Sequence, residues 1–242
     1  MMDRDLDAMN CLKEGWQSFS ANPGLAIGGF FIYGFMAAIG QMIPIFGVLF
    51  AFLVSPVLLG GFILLTMNLA GRAEPKLDDL FQGFQQFGRL LGVYWLMSLA
   101  AIVGMIPSFA VMFAYFGAAM EGADPGPLFL FVFLLNMMVV AVFFLRWSMV
   151  FFIVMDEPHL GVIDCFRRSE QITSGNRMNL VILGILSFLV AIVGLLAFLI
   201  GYIVAIPVTS LAFARAYFWL RSFHPPVVAV TQPQVDPGPV LQ

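Results

Sequence analysis

Two scales of apolar patterning run along this chain. On the longer scale, residues 25–67 and 180–214 carry no charge at all. A single helix over 25–67 would be about 64 Å long, twice the roughly 30 Å hydrocarbon layer of a bilayer. Each such run therefore folds into a hairpin of two spans. Pro44 to Gly47 is placed to turn the first hairpin, which predicts spans near 24–43 and 47–70, the second containing Pro56. Spans near 90–116, interrupted at Pro107, and 128–155 form the second hairpin. Spans near 178–199 and 201–221 form the third. The connection around Glu121, Gly122, Asp124 and Pro125 is the one long polar loop on its side.

On the shorter scale, three polar segments show apolar residues every three or four positions, as one face of a helix does. In residues 3–22 the stripe is Leu6, Met9, Leu12, Trp16 and Phe19. In the second segment it is Leu77, Leu80, Phe81, Phe84 and Phe87. The third covers about 160–174 and ends at Gly175, a residue suited to capping. Helices of this kind lie in the headgroup plane.

The segments repeat. A shift of 154 residues places Cys11 on Cys165, Gln17 on Gln171, Ser20 on Ser174 and Asn22 on Asn176. After a three-residue deletion, Pro56-Val57 falls on Pro207-Val208. A shift of 68 places Leu12 on Leu80, Gly15 on Gly83 and Phe19 on Phe87. The expected architecture is all-α: a single membrane domain over 1–223 of six transmembrane helices. Its three parallel units (6–70, 74–155, 160–221) are each an interfacial amphipathic helix plus a two-span hairpin. Residues 224–242, rich in proline, are expected to be a disordered tail.

Composition strengthens the membrane reading. Of 242 residues, 61% are hydrophobic and 10% charged, against about 25% charged in soluble domains. Mean hydropathy is +0.97. The acidic start, Asp3-Arg4-Asp5-Leu6-Asp7, lacks the basic region of a cleaved signal peptide, so the first span is expected to act as the insertion signal. Ten basic residues fall on one side of the predicted threading: Arg4, Lys13, Arg72, Lys76, Arg89, Arg167, Arg168, Arg177, Arg215 and Arg221. The other three connections hold none. The positive-inside rule then puts both termini and all three interfacial helices in the cytoplasm.

Candidate chemistry is sparse. Arg146 stands ten positions before Asp156, about 15 Å into a straight helix, where an unpaired guanidinium costs several kcal/mol. It is either a substrate or ion contact in a central cavity, or a clamp on a carbonyl, on Asn136 or on a carboxylate of an interfacial helix. Arg215 reads as a snorkelling anchor and Asn136 as interhelical hydrogen-bond glue. Cys11, Cys165, His159 and His224 do not form a metal pattern, and Met137-Met138 is weak evidence for a metal conduit. No protease, hydrolase or phosphate-loop motif occurs, and the net charge of -3 gives no nucleic-acid footprint. No enzyme activity, cofactor or nucleic-acid partner is expected; the expected partners are membrane lipids, another membrane protein or a second copy.

The series Arg146, Asp156-Glu157, Gly161, Cys165-Phe166-Arg167-Arg168-Ser169 and Thr173-Ser174-Gly175-Asn176 resembles uncharacterised bacterial six-span membrane families. These are related to the membrane domain fused to some glycerophosphodiester phosphodiesterases. The resemblance covers 140–221 well and 10–90 loosely; the catalytic domain of those phosphodiesterases is absent. It implies a bacterial inner-membrane location and a cytoplasmic motif of Asp156, Arg167, Arg168, Ser169 and Asn176. Two functions follow as expectations: a non-enzymatic assembly, regulatory or lipid-organising factor, or a small-solute transporter or channel with Arg146 in its cavity.

Overall fold

The computed structural model describes residues 6–42, 44–120, 126–197 and 200–225, and every regular element among them is helical. In chain order these are α1 (Ala8–Ala21), α2 (Pro23–Gln41), α3 (Pro44–Leu53), α4 (Ser55–Leu69) and α5 (Asp79–Gln82). There follow α6 (Phe87–Met120), α7 (Gly126–Arg146), α8 (Val150–Asp156), α9 (Val162–Thr173), α10 (Arg177–Leu196) and α11 (Ile200–Phe223). Four stretches are long and apolar enough to cross a membrane: Pro23–Gly40, Asp79–Gly117, Arg177–Leu196 and Gly201–Phe223. The bent pair α3–α4 makes a fifth if it is one span. Large apolar side chains such as Phe35, Phe113 and Phe188 point outward from these helices, as they do in a helix solvated by lipid. The chain is an all-helical membrane protein.

Several helix ends follow directly from local sequence. Asp7 caps α1, its carboxylate accepting from the Met9 and Asn10 amides at 2.9 and 3.2 Å. Gly175, at φ +86°, closes α9 as its position suggests, and Gly71, at φ +102°, closes α4 in the same way. Both take a left-handed conformation that other residues adopt only with strain.

Other boundaries differ from expectation. Pro44 does not turn the first hairpin: it opens α3, a position where its missing N–H costs nothing. The span expected over 47–70 is broken at Val54, with α3 and α4 at 46°. Pro56, near the start of α4, accounts for the break because it cannot donate back to the preceding turn. Pro107, by contrast, lies inside an unbroken α6, so the expected interruption is not there. The span expected over 128–155 stops at Arg146 and resumes at Val150 after a turn. The second amphipathic segment is a four-residue α5 and a 3-10 turn (Gly83–Gln86) leading directly into α6. The loop 121–125 and the expected tail beyond Pro225 lie outside the described residues.

The amphipathic stripe read from the sequence is packed only in part: Leu6, Phe19 and Leu80 are buried. Met9 and Trp16 are exposed, as are Leu77, Phe81, Phe84 and Phe87. What α1 buries is its small face, Ala8, Cys11, Gly15 and Ser18, together with Phe19. Small residues let helix backbones approach closely, and the large apolar residues are left for lipid. Gly15 lies against α11 so tightly that a Cβ would sit 2.8 Å from the Ala212 nitrogen and 2.9 Å from the Val208 carbonyl oxygen. Gly83 makes the corresponding approach to Val57 and Gly61 on α4. In α9 the buried face is Cys165, Ser169, Ile172 and Thr173, and the Ser169 hydroxyl donates to the Arg146 carbonyl at 2.9 Å.

The core forms where α4, α8 and the second half of α11 meet. Leu65, Ile153, Leu211 and Tyr217 are fully buried there, and Phe152 stacks on Tyr217 at 5.5 Å. Around it, α1 rests on α10 and α11, α5 rests on α4, and α9 rests on α8. The first polar segment thus packs on helices from the far end of the chain, whereas α5 and α9 pack on the helices that immediately precede them.

Candidate functional site

The turn after α8 is the electrostatic centre of the molecule. Asp156 is the last residue of α8, and its side chain is 1% exposed. A buried carboxylate survives only when opposite charge and hydrogen bonds replace water. Asp156 has both. Arg72, from the loop after α4, approaches at 3.3 Å, and Arg221, near the end of α11, at 2.9 Å. The Tyr217 hydroxyl donates to the second oxygen at 2.7 Å. Three chain segments, distant in sequence, are tied at one carboxylate.

Two further arginines, Arg89 and Arg168, dress the same turn, and Arg72 makes a second contact there. Arg89 donates to the Val154 and Glu157 carbonyls at 3.1 and 2.9 Å and to the Gln86 side chain at 2.8 Å. Arg72 reaches the Met155 carbonyl at 3.4 Å. The last carbonyls of a helix lack intrahelical partners and carry partial negative charge, so cations are favourable there. Glu157, also buried, pairs with Arg168 at 3.4 Å, and Arg168 donates in addition to the His224 carbonyl.

A third buried carboxylate, Asp79, accepts from Asn68 (2.8 Å), from the Lys76 amide (3.0 Å) and from Gln82 (2.9 Å). It pins the 70–78 loop against α4. Between this loop and the 155–158 turn lies an open cleft of about 490 Å³, polar along Arg72, Glu74, Lys76 and Gln85.

The residues singled out from sequence divide into those joined to this centre and those elsewhere. Asp156 and Arg168 belong to it. Arg167 is exposed and meets only Asp164 of its own helix, at 3.4 Å. Asn176 accepts from the Leu6 amide at 2.9 Å, fastening the start of the chain to the α9–α10 turn. Arg215 donates to Ser18 at 2.9 Å and lies 3.8 Å from Glu14, so it ties α11 to α1. Asn136 accepts from Ser108, joining α7 to α6.

Arg146 pairs with Glu170 of α9, and Arg177 approaches the same carboxylate at 4.0 Å. Of the clamps the sequence allowed, a carboxylate on a polar helix is the one found. The depth inferred for a straight helix does not apply, because the helix ends at Arg146 and α9 covers the break. Arg146→Leu and Glu170→Leu should each lower folded yield, by about 1 kcal/mol for so exposed a pair. The double variant should be no worse than the poorer single variant. Unfolding midpoints in mild detergent would measure this; normal stability for Arg146→Leu would remove the clamp.

Sequence reasoning missed Arg72, Arg89 and Arg221 as members of the centre, treating them only as topological charges, and did not place Tyr217 there. A signal was present: the acidic pair Asp156-Glu157 lies on the same predicted side as these arginines, where pairing is the cheapest way to bury either charge. No group of histidine, cysteine and acidic residues able to hold a metal occurs among the described residues.

No curated protein and no solved structure matches the chain. A family model matches residues 6–242, which spans every element of the fold from α1 onward, and the chain accordingly belongs to the family described as a domain of unknown function, DUF7847.

Proposed function

We propose that this protein is a non-enzymatic factor of the bacterial inner membrane that assembles or regulates a membrane partner, or organises lipid, at its cytoplasmic face. The observation that carries this reading is the use of its ionisable residues. Asp156, Glu157 and Asp79, with Arg72, Arg89, Arg168 and Arg221, are spent on one another and on helix ends. Such a layer makes a rigid platform, and it presents the exposed Met9, Trp16, Phe81 and Phe84 outward. The inner-membrane location rests on the resemblance over residues 140–221.

The platform is read as three parallel units of two spans each. The sixth span is α7, whose 21 residues hold no charge before Arg146. In support of the repeat, Gly15, Gly83 and Ser169 are related by the shifts of 68 and 154 residues, and they meet Val208, Val57 and Arg146 respectively. On this reading each polar helix covers the hairpin of the preceding unit, and α1 closes the ring on the last.

Threading has a direct test. Burial pushes the Cys11 thiol up to about 11, with Glu14 and Asp7 adding to the shift, and raises Cys165 as well. At neutral pH neither should react with a maleimide before denaturation. Added to this silent background, Ala73→Cys should label only after the cells are opened, and Met120→Cys in intact spheroplasts. The opposite pattern would invert the topology.

The function is tested by extracting the protein in native-lipid polymer discs and identifying what comes with it. An enriched lipid class or a stoichiometric protein supports the proposal. Neither, together with solute flux in proteoliposomes that Arg146→Gln abolishes, would replace it with the transporter reading.

A further inference from the structure

Where α1 crosses α10 and α11 there is a groove of about 400 Å³ whose chemistry is divided in two. Its inner part is apolar: Leu12 of α1, Val190 of α10 and Val208 of α11. Its rim is Lys13, Trp16 and Gln17, one turn of α1. These three are neighbours on one helix face because residues three and four apart align.

The charge on this rim is unbalanced. Among the described residues, the carboxylates on or beside α1 are Asp7, taken by the helix cap and by Asn10, and Glu14, which lies with Arg215 at 3.8 Å. The ammonium of Lys13 is exposed and forms none of the described ion pairs, and Gln17 and the Trp16 indole make none of the described hydrogen bonds. Trp16 is 54% exposed, its ring stacked on Phe19 at 5.7 Å. Donors and a cation thus surround the mouth of an apolar slot, one wall of which is α10, a helix whose Phe188 and Leu189 are exposed.

A tryptophan beside a lysine on an amphipathic helix is suited to the headgroup level of a bilayer. A free anion would match the rim but leave the slot unfilled. A zwitterionic lipid would match the slot but bring its own cation toward Lys13. We propose that this groove is a binding site for one phospholipid with a net anionic headgroup. The phosphate lies at Lys13, with donors from Gln17 and the Trp16 indole, and an acyl chain enters between Val190 and Val208. This proposal rests on the lipid side of the function proposed above.

The test uses the full chain in vesicles of phosphatidylethanolamine and phosphatidylglycerol, with bromine on the acyl chains of one lipid or the other. Bromine quenches a nearby tryptophan. Quenching should be stronger when phosphatidylglycerol carries it, and Trp16→Phe should remove that excess while Trp95→Phe leaves it. Lys13→Gln should lower the preference about fivefold, the worth of one lysine at an anionic surface. Val190→Phe, which fills the slot, should reduce quenching by either lipid at Trp16. Each variant is first checked for the parent's elution and circular dichroism. Excess quenching that survives both Trp16→Phe and Lys13→Gln would place anionic lipid elsewhere, overturning this site and leaving the proposed function standing. Equal quenching by both lipids at every tryptophan, with no lipid retained in native extraction, would overturn the site and the lipid side of the function together.

Discussion

Asp156→Ala should cost about 3–5 kcal/mol of stability, the scale for breaking a buried ion pair by removing one partner. Three things are lost with this carboxylate. Arg72 and Arg221, each about a third exposed, are left facing one another, and water reaches them only partly. The Tyr217 hydroxyl, fully buried, loses its acceptor, a desolvation cost of about 1–3 kcal/mol by itself. The third loss is connectivity, because the carboxylate joins α8, α11 and the loop after α4. Unfolding by a rising fraction of denaturing detergent, followed by circular dichroism, would measure the effect. Asp156→Asn should fall between parent and alanine, since an amide still accepts from Tyr217. Removing Arg72 or Arg221 alone should cost less, because the other guanidinium stays. An Asp156→Ala variant within about 1 kcal/mol of the parent would show that the centre is decorative.

Gly83→Ala and Gly61→Ala should be comparably severe, at about 3 kcal/mol or more, the upper end of overpacking costs. A Cβ on Gly83 would overlap the Val57 carbonyl oxygen, and one on Gly61 would overlap the Leu80 carbonyl oxygen. Both obstacles are backbone, so no rotamer change relieves them and the 3-10 turn must lift from α4. Gly88→Ala is the control. Nothing lies within 4 Å of its added methyl, and alanine there should help the start of α6 by up to about 1 kcal/mol. Thermal unfolding in one detergent compares the three. If Gly83→Ala behaves like Gly88→Ala, the close approach is not a determinant of the fold.

These two predictions involve residues that the sequence did not single out for their roles. Asp156 was legible as part of a motif, and its neighbourhood with arginines was legible only as a count of charges on one side. Gly83 was legible as a repeat match to Gly15, without the helix it touches, and Gly61 was not singled out. Arg146 illustrates the limit best. Its candidate partners were named correctly as a set, and the choice of Glu170 needed the break at 147–149 together with the packing of α9. The stripe on α1 divided, with Leu6 and Phe19 buried and Met9 and Trp16 exposed, for a definable reason: periodicity identifies an apolar face, but in a membrane both lipid and protein accept one, so large residues do not by themselves mark the packed side.

By itself the sequence determined what depends on local chemistry and on the length of apolar runs. Membrane residence, the all-helical class, the Gly175 cap and the limits of α9, α10 and α11 all follow from propensity, capping and hydropathy. Only the tertiary structure decided which helices each polar segment rests on, where the long spans break, and that charges from three distant segments meet at Asp156. The physical reason is that in lipid the apolar pattern is satisfied everywhere along a span. Partner choice then falls to small-residue contacts and buried ion pairs, whose members are set by three-dimensional proximity and leave no periodic mark in the chain.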